Sequence, residues 1–243
     1  MTQKLPIFPL NTVLFPGAPL QLHIFEERYR LMIGRCLEQH SPFGVVLIRS
    51  GSEISPDDPW VRRQIEEAGG GDVELSALRE QLGGETVSYT VGTTAQISAD
   101  ESARLPDGRY YLVGQGQRRF RIQYFTQRQP YLIASVAYLT EDFSAASKET
   151  AAQLRQLYAR YWSALGAAVG EAPPSETLPE SPVELTYWMA NRLRVDNPRK
   201  QRWLECDVDT RLREMSAAIR HELAMLPGGA AGERERGGLG SWN

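Results

Sequence analysis

Residues 5–25 carry short apolar runs broken by Pro6, Pro9, Pro16 and Pro19, in the stretch LPIFPLNTVLFPGAPLQLHIF. Proline has no N–H to give to a ladder, so this spacing suits strand starts, edges and turns. Pro16-Gly17 predicts a turn and LQLHIF a strand after it. At Phe25 the period changes. Phe25, Tyr29, Met32, Ile33, Cys36 and Leu37 recur at the three- and four-residue spacing of one helical face. Glu27, Arg30, Gly34 and Glu38 fall off that face, and Glu26 to Arg30 is a favourably oriented i,i+4 pair worth ~0.3 kcal/mol. The helix is expected to stop before Pro42, with FGVVLIRS as a buried strand.

Residues 53–85 differ in texture. They are polar, with Gly69, Gly70 and Gly71 between two short helical stretches, and read as an insertion, bounded at 55–87, in a β framework. Strand patterns resume at TVSYTVGTTAQIS, RYYLVG, QRRFRIQYF and YLIASVAYL, with Asp107-Gly108 as a hairpin turn. GQGQRR at 114–119 reads as a further hairpin turn. Beyond Phe143 the period is helical: Leu154, Leu157, Tyr158, Tyr161, Trp162 and Leu165 repeat at spacing three and four. Ser181, Pro182 and Glu184 form a capping box ahead of Leu185, Trp188, Met189 and Leu193. Asn197-Pro198 opens a short helix, and a last one is expected to bury Leu212, Met215, Ile219, Leu223 and Leu226. The expected organisation is a β-rich part over 1–140 carrying the 55–87 insertion, a helical subdomain over 144–226, and a flexible tail over 227–243. The fold class is α+β.

Composition narrows the function classes. A net charge of -3 and a pI near 5.8 give no global field toward nucleic acid or anionic lipid. Cys36 and Cys206 cannot build a disulfide framework and read as reduced thiols of a cytosolic protein. MTQKLPIFPL lacks the form of a signal peptide, and the apolar run VVLI is far too short to span a bilayer. His23, His40 and His221 stand alone, without the spacing of metal ligands. The lysines are Lys4, Lys148 and Lys200, and no GxxxxGK[ST] phosphate loop occurs around them. No nucleophile-elbow sequence marks a serine. The expectation is a protein without cofactor, metal site or catalysis.

Three blocks, in order, resemble one family. LPIFPLNTVLFPGAPLQLHIFEERYRLMIGRCLE is similar to the opening of the Lon protease N-terminal domain. VGTTAQI with DGRYYLVGQGQRRFRI resembles its second block, and RKQRWLECDVDTRLREMSAAIRHELAML its C-terminal helices. The resemblance spans Leu5 to Leu226. It implies a small PUA-like β-barrel followed by a helical bundle, and a role in recognising protein substrates while separate domains carry ATPase and peptidase chemistry. The insertion is longer than the family's usual link between its first two blocks.

Several residues are candidates for contact. Phe8, Phe15, Leu20, Leu22 and Phe25 read as core and lid of the barrel, leaving Glu27, Arg28, Arg30 and Glu38 as a charged docking face. Trp60 in the insertion and Trp188 on a capped helix are candidate polypeptide-binding aromatics. Arg192, Arg194, Arg199, Lys200 and Arg202 form the densest basic patch, followed at once by Glu205, Asp207 and Asp209. The first expectation is a module that grips unfolded or tagged polypeptide, or a partner protein, in an apolar groove between barrel and helices. The alternative is RNA binding through the barrel and the basic patch, and a third is an enzyme using the same cleft.

Overall fold

A computed structural model describes residues 3–68, 72–82, 86–169 and 177–226. The chain divides into two units, one of residues 1–140 with 191–205 and one of residues 141–190 with 206–243. The expected tail at 227–243 lies outside the described residues.

Among the described residues the first unit holds seven strands: β1 (Gln3–Leu10), β2 (Pro19–Ile24), β3 (Phe43–Ser50), β4 (Val87–Ile97), β5 (Ala103–Arg104), β6 (Tyr110–Gln127) and β7 (Leu132–Tyr138). Helix α1 (Glu27–Glu38) joins β2 to β3, and the insertion forms α2 (Pro59–Glu67) and α3 (Asp72–Leu82). The ladder order β6-β4-β3-β1-β7 returns to β6, so five strands close on themselves while β2 and β5 hang on the first part of β6. β1 and β3 run parallel, and the other pairs run antiparallel. Inside the closed sheet lie Leu5, Ile7, Val46, Phe120, Ile122, Ala134 and Val136. Alternation sends Phe8 outward, where it stacks on Tyr29 of α1 at 4.0 Å. Both faces of β1 are thereby used, which is why it reads as a nearly continuous apolar run.

The expected hairpin at GQGQRR is absent from the described fold. β6 passes straight through it for 18 residues. Its glycines serve close backbone approach instead. A Cβ on Gly116 would stand 2.2 Å from the Phe15 carbonyl oxygen. Gly17 N–H donates to the Gly116 carbonyl at 2.8 Å, and Gly116 N–H donates to the Ala18 carbonyl at 2.9 Å. The Pro16-Gly17 turn is thus clasped to mid-strand β6.

Asp58 fastens the insertion to α1. Asp58 accepts from the Glu27 N–H through Oδ2 at 2.9 Å and from the Trp60 N–H through Oδ1 at 2.9 Å, so it caps α1 and α2 together. Beside it Glu26 is 3% exposed, takes the Ser55 N–H at 3.1 Å and pairs with Arg28 at 2.9 Å. Burial outweighs these partners and pushes the Glu26 carboxyl from 4.5 up to about 6, with Asp58 adding to the rise.

Helix α6 (Asn197–Glu205) belongs to the sheet unit rather than to a continuous helical segment over 144–226. Gln201 Nε2 donates to the Val91 carbonyl of β4 at 3.0 Å, and Arg119 Nη1 donates to the Leu204 carbonyl at 2.5 Å. Trp203 beside them is fully buried. Those long-range bonds leave no mark in the helical period.

The second unit contains α4 (Ala145–Val169), most of α5 (Pro182–Arg192) and α7 (Val208–Met225). Leu154, Leu185, Met189, Leu212, Met215 and Ile219 form its interior, while Leu223 and Leu226 are half-buried rather than core. Arg211 is fully buried there, 3.0 Å from the Glu141 carboxylate and 4.1 Å over the Tyr187 ring. Tyr187 donates its hydroxyl hydrogen to the same carboxylate.

Two outcomes are expected. Gly116→Ala forces the clasped turn outward and should cost about 2 kcal/mol in urea unfolding; an unchanged midpoint contradicts the clasp. Glu26 holds a proton in the folded chain that the unfolded chain releases between pH 4.5 and about 6. Its ionisation therefore removes stability as pH rises through that window, by about 2 kcal/mol in full. Glu26→Gln should gain on the parent by that amount between pH 4.5 and 7.5; a pH-independent difference contradicts the burial argument.

Candidate functional site

β4 and β6 pair only as far as Val91 opposite Arg121. β4 begins at Val87 and β6 continues to Gln127, and over those stretches β4 pairs with β3 and β6 with β7. A cleft of about 490 Å³ opens where they part, at the mouth of the closed sheet. Its apolar surface comes from Ile54 and Val87 at the two ends of the insertion and from Phe125 and Leu132 across the β6–β7 turn. Ile54 and Val87 are 37% and 44% exposed. Two guanidiniums edge the cleft. Arg28 lies 4.4 Å over Tyr29 and donates to the Glu53 carbonyl at 3.2 Å, and Arg128 lies 5.3 Å over Phe125.

The charged face expected on α1 is two surfaces. Arg28 turns to the cleft. Glu27, Arg30 and Glu38 line a separate groove of about 430 Å³, floored by Leu31, Gly34 and Tyr110. Helical geometry accounts for the split, since residue 28 sits about 100° around the axis from residue 27. Nor is Glu26 the surface partner of Arg30; it turns inward to Arg28 and Ser55. Arg30 instead reaches over Gly108, which sits at φ +85° and has no side chain to obstruct the guanidinium.

Trp60 is half-buried and packs on Phe25 at 4.6 Å, with the Arg109 guanidinium 6.0 Å from its ring. Phe25 is therefore a contact for the insertion rather than barrel core, and Leu22 is also only half-buried. In the second unit Trp188 is half-buried and meets Tyr158 edge-on at 5.5 Å. Trp60 and Trp188 lie in different units.

In the basic stretch Arg192, Arg194, Arg199 and Arg202 are exposed. Arg199 lies 5.6 Å from the Trp203 ring, and partial burial lowers the Lys200 ammonium below its ordinary value. The following acids have other duties: Glu205 accepts from Gln201, Asp207 caps α7 through Thr210, and Asp209 accepts from Ser147.

Among the described residues no group of three His, Cys, Asp or Glu could hold a metal ion, and no helix is long and apolar enough to cross a membrane. Cys36 and Cys206 form no disulfide, and burial pushes the Cys36 thiol up to about 11. The cleft residues Ile54, Val87, Phe125 and Leu132 were not candidates on sequence grounds. The available signal was Asp58-Pro59, an N-cap followed by proline at N1, which marks the insertion as anchored.

The family model for the ATP-dependent protease La (LON) substrate-binding domain matches residues 4–221. Lon protease 2 of Myxococcus xanthus is 30% identical over 62% of this chain and 15% of its own. The Lon protease of Desulfosudis oleivorans is 25% identical over 93% of this chain and 25% of its own. This chain thus spans a quarter or less of those relatives' length. Among solved structures, a Lon N-terminal domain protein from Xanthomonas campestris aligns over 93% of this chain and 99% of that one, at TM-score 0.55 and 22% identity. The N-terminal domain of Mycobacterium avium complex Lon protease aligns over 89% and 98%, at TM-score 0.58 and 16% identity. At those identities the likeness is one of α+β fold, while the match over residues 4–221 carries the lineage: the chain belongs to the LON substrate-binding domain family.

Proposed function

We propose that this chain is a non-catalytic module that binds polypeptide, and that the cleft at the mouth of the closed sheet is its contact site. The observation that carries the reading is the exposure of Ile54 and Val87 beside Phe125 and Leu132 in one concavity of about 490 Å³. Branched aliphatics left in water at a cleft wall mark a surface that another apolar group covers.

The non-catalytic part rests on where the perturbed acid sits. Glu26, raised to about 6, is the kind of group an acid–base catalyst uses, but it is buried beneath the insertion's stem and is not among the residues lining the cleft. Its carboxylate is engaged by Arg28 and the Ser55 N–H, a structural duty. The relatives' names add that this domain type occurs in proteases, and substrate polypeptide is the natural partner class.

The double variant Ile54→Ser/Val87→Ser tests the site. Both side chains are exposed, so thermal stability should change little, while retention of a reduced, carboxymethylated unfolded protein should fall about tenfold. Undiminished retention by a folded double variant contradicts the cleft as the contact site, and no retention by the parent contradicts the binding role.

A further inference from the structure

We propose that the cleft receives its polypeptide as an added β-strand, hydrogen-bonded along the edge of β6 that β4 leaves after Arg121. The proposal rests on the polypeptide-binding reading and names the form the bound chain takes. Its occupant is an extended segment with apolar side chains at alternate positions.

Three observations converge on this. First, the ladder of β6 with β4 stops at Val91–Arg121, whereas β6 runs on to Gln127. On the side that faced β4, the last third of this strand has no ladder partner among the described residues. Its other side is paired with β7 at Ile122, Tyr124, Phe125 and Gln127, which fixes that edge in the sheet. Second, this stretch is wet. Gln123, Tyr124 and Thr126 are exposed, Tyr124 by 60%, and β4 from Val87 to Thr90 is exposed or half-buried. An exposed extended backbone with one row of unsatisfied N–H and C=O groups is the template on which strand addition occurs. Third, the apolar wall lies at that edge, with Phe125 on β6 and Val87 on β4 both lining the cleft. A strand laid there places alternate side chains against the wall and the rest toward solvent.

The edge at β2 differs. β2, at the end of the ladder path, opens with Pro19 and alternates exposed Pro19, Gln21 and His23 with more buried neighbours. The bulges between Ile122 and Tyr124 and between Phe125 and Gln127 bend β6 on its β7 side.

Backbone N-methylation separates this mode from other contacts, because it removes an N–H without altering a side chain. The probe is a fluorescein-labelled ten-residue peptide alternating valine and serine, titrated against the full chain by fluorescence anisotropy. Two analogues carry N-methyl groups on all valines or on all serines. In a strand the two sets of N–H groups point to opposite edges, so one analogue should lose about tenfold or more while the other stays within about twofold. Equal effects from both analogues, or none from either, overturn strand addition and leave polypeptide binding standing. Failure of the unmethylated peptide while carboxymethylated unfolded protein is still retained overturns it as well. Failure of both probes overturns this inference together with the function on which it rests.

Discussion

A strand of 18 residues cannot remain flat beside shorter neighbours that meet it one after another. β6 meets β2 and β5 with its first part, β4 with its middle and β7 with its last part. Right-handed twist accumulates along it, so each neighbour leaves at a different angle. That succession lets five strands return to their starting edge, and it also forces a parting where β4 has gone and β7 continues. Closure and cleft are two results of one geometric demand. The core, with Phe120 and Ile122 on the inner face, depends on it directly.

Legibility in the sequence followed the range of the interactions. The early strands and α1 were readable because their signals are local: Pro16-Gly17, the change of period at Phe25, and the apolar face ending in Cys36. GQGQRR failed for the opposite reason. A glycine that makes room for a carbonyl a hundred residues away looks the same as one that makes a turn, and Gly116 under Phe15 is the former. Glu26 misled similarly, since a favourable i,i+4 spacing to Arg30 says nothing about a Ser55 N–H waiting to be satisfied. The helix over 197–205 was found, but its attachment to β4 through Gln201 and to Arg119 through Leu204 was not, because both bonds cross more than eighty residues. Of the candidate contact residues, Arg28 reaches the cleft; the apolar wall around it required the closed sheet to be seen.

The insertion has a part in this that its polar composition hides. Its ends supply Ile54 and Val87, while its first helix is tied to α1 through Asp58 and through Trp60 on Phe25. The same helix N-terminus thus orients Arg28 toward the cleft and fixes the loop that forms the opposite wall. Burying Glu26 beneath this junction costs stability near neutral pH.

The position of β1 has a consequence for how the chain is made. β1 lies between β3 and β7, and its register brings Gln3 opposite Val136. A nascent chain leaving the ribosome must therefore expose one side of its first strand until the seventh has emerged, a long wait for a segment so apolar. Pro6 and Pro9 stand three residues apart in that strand, so each of its two edges lacks one N–H that a wandering neighbour would seize. The prolines that stiffen the finished barrel also guard its first strand during synthesis.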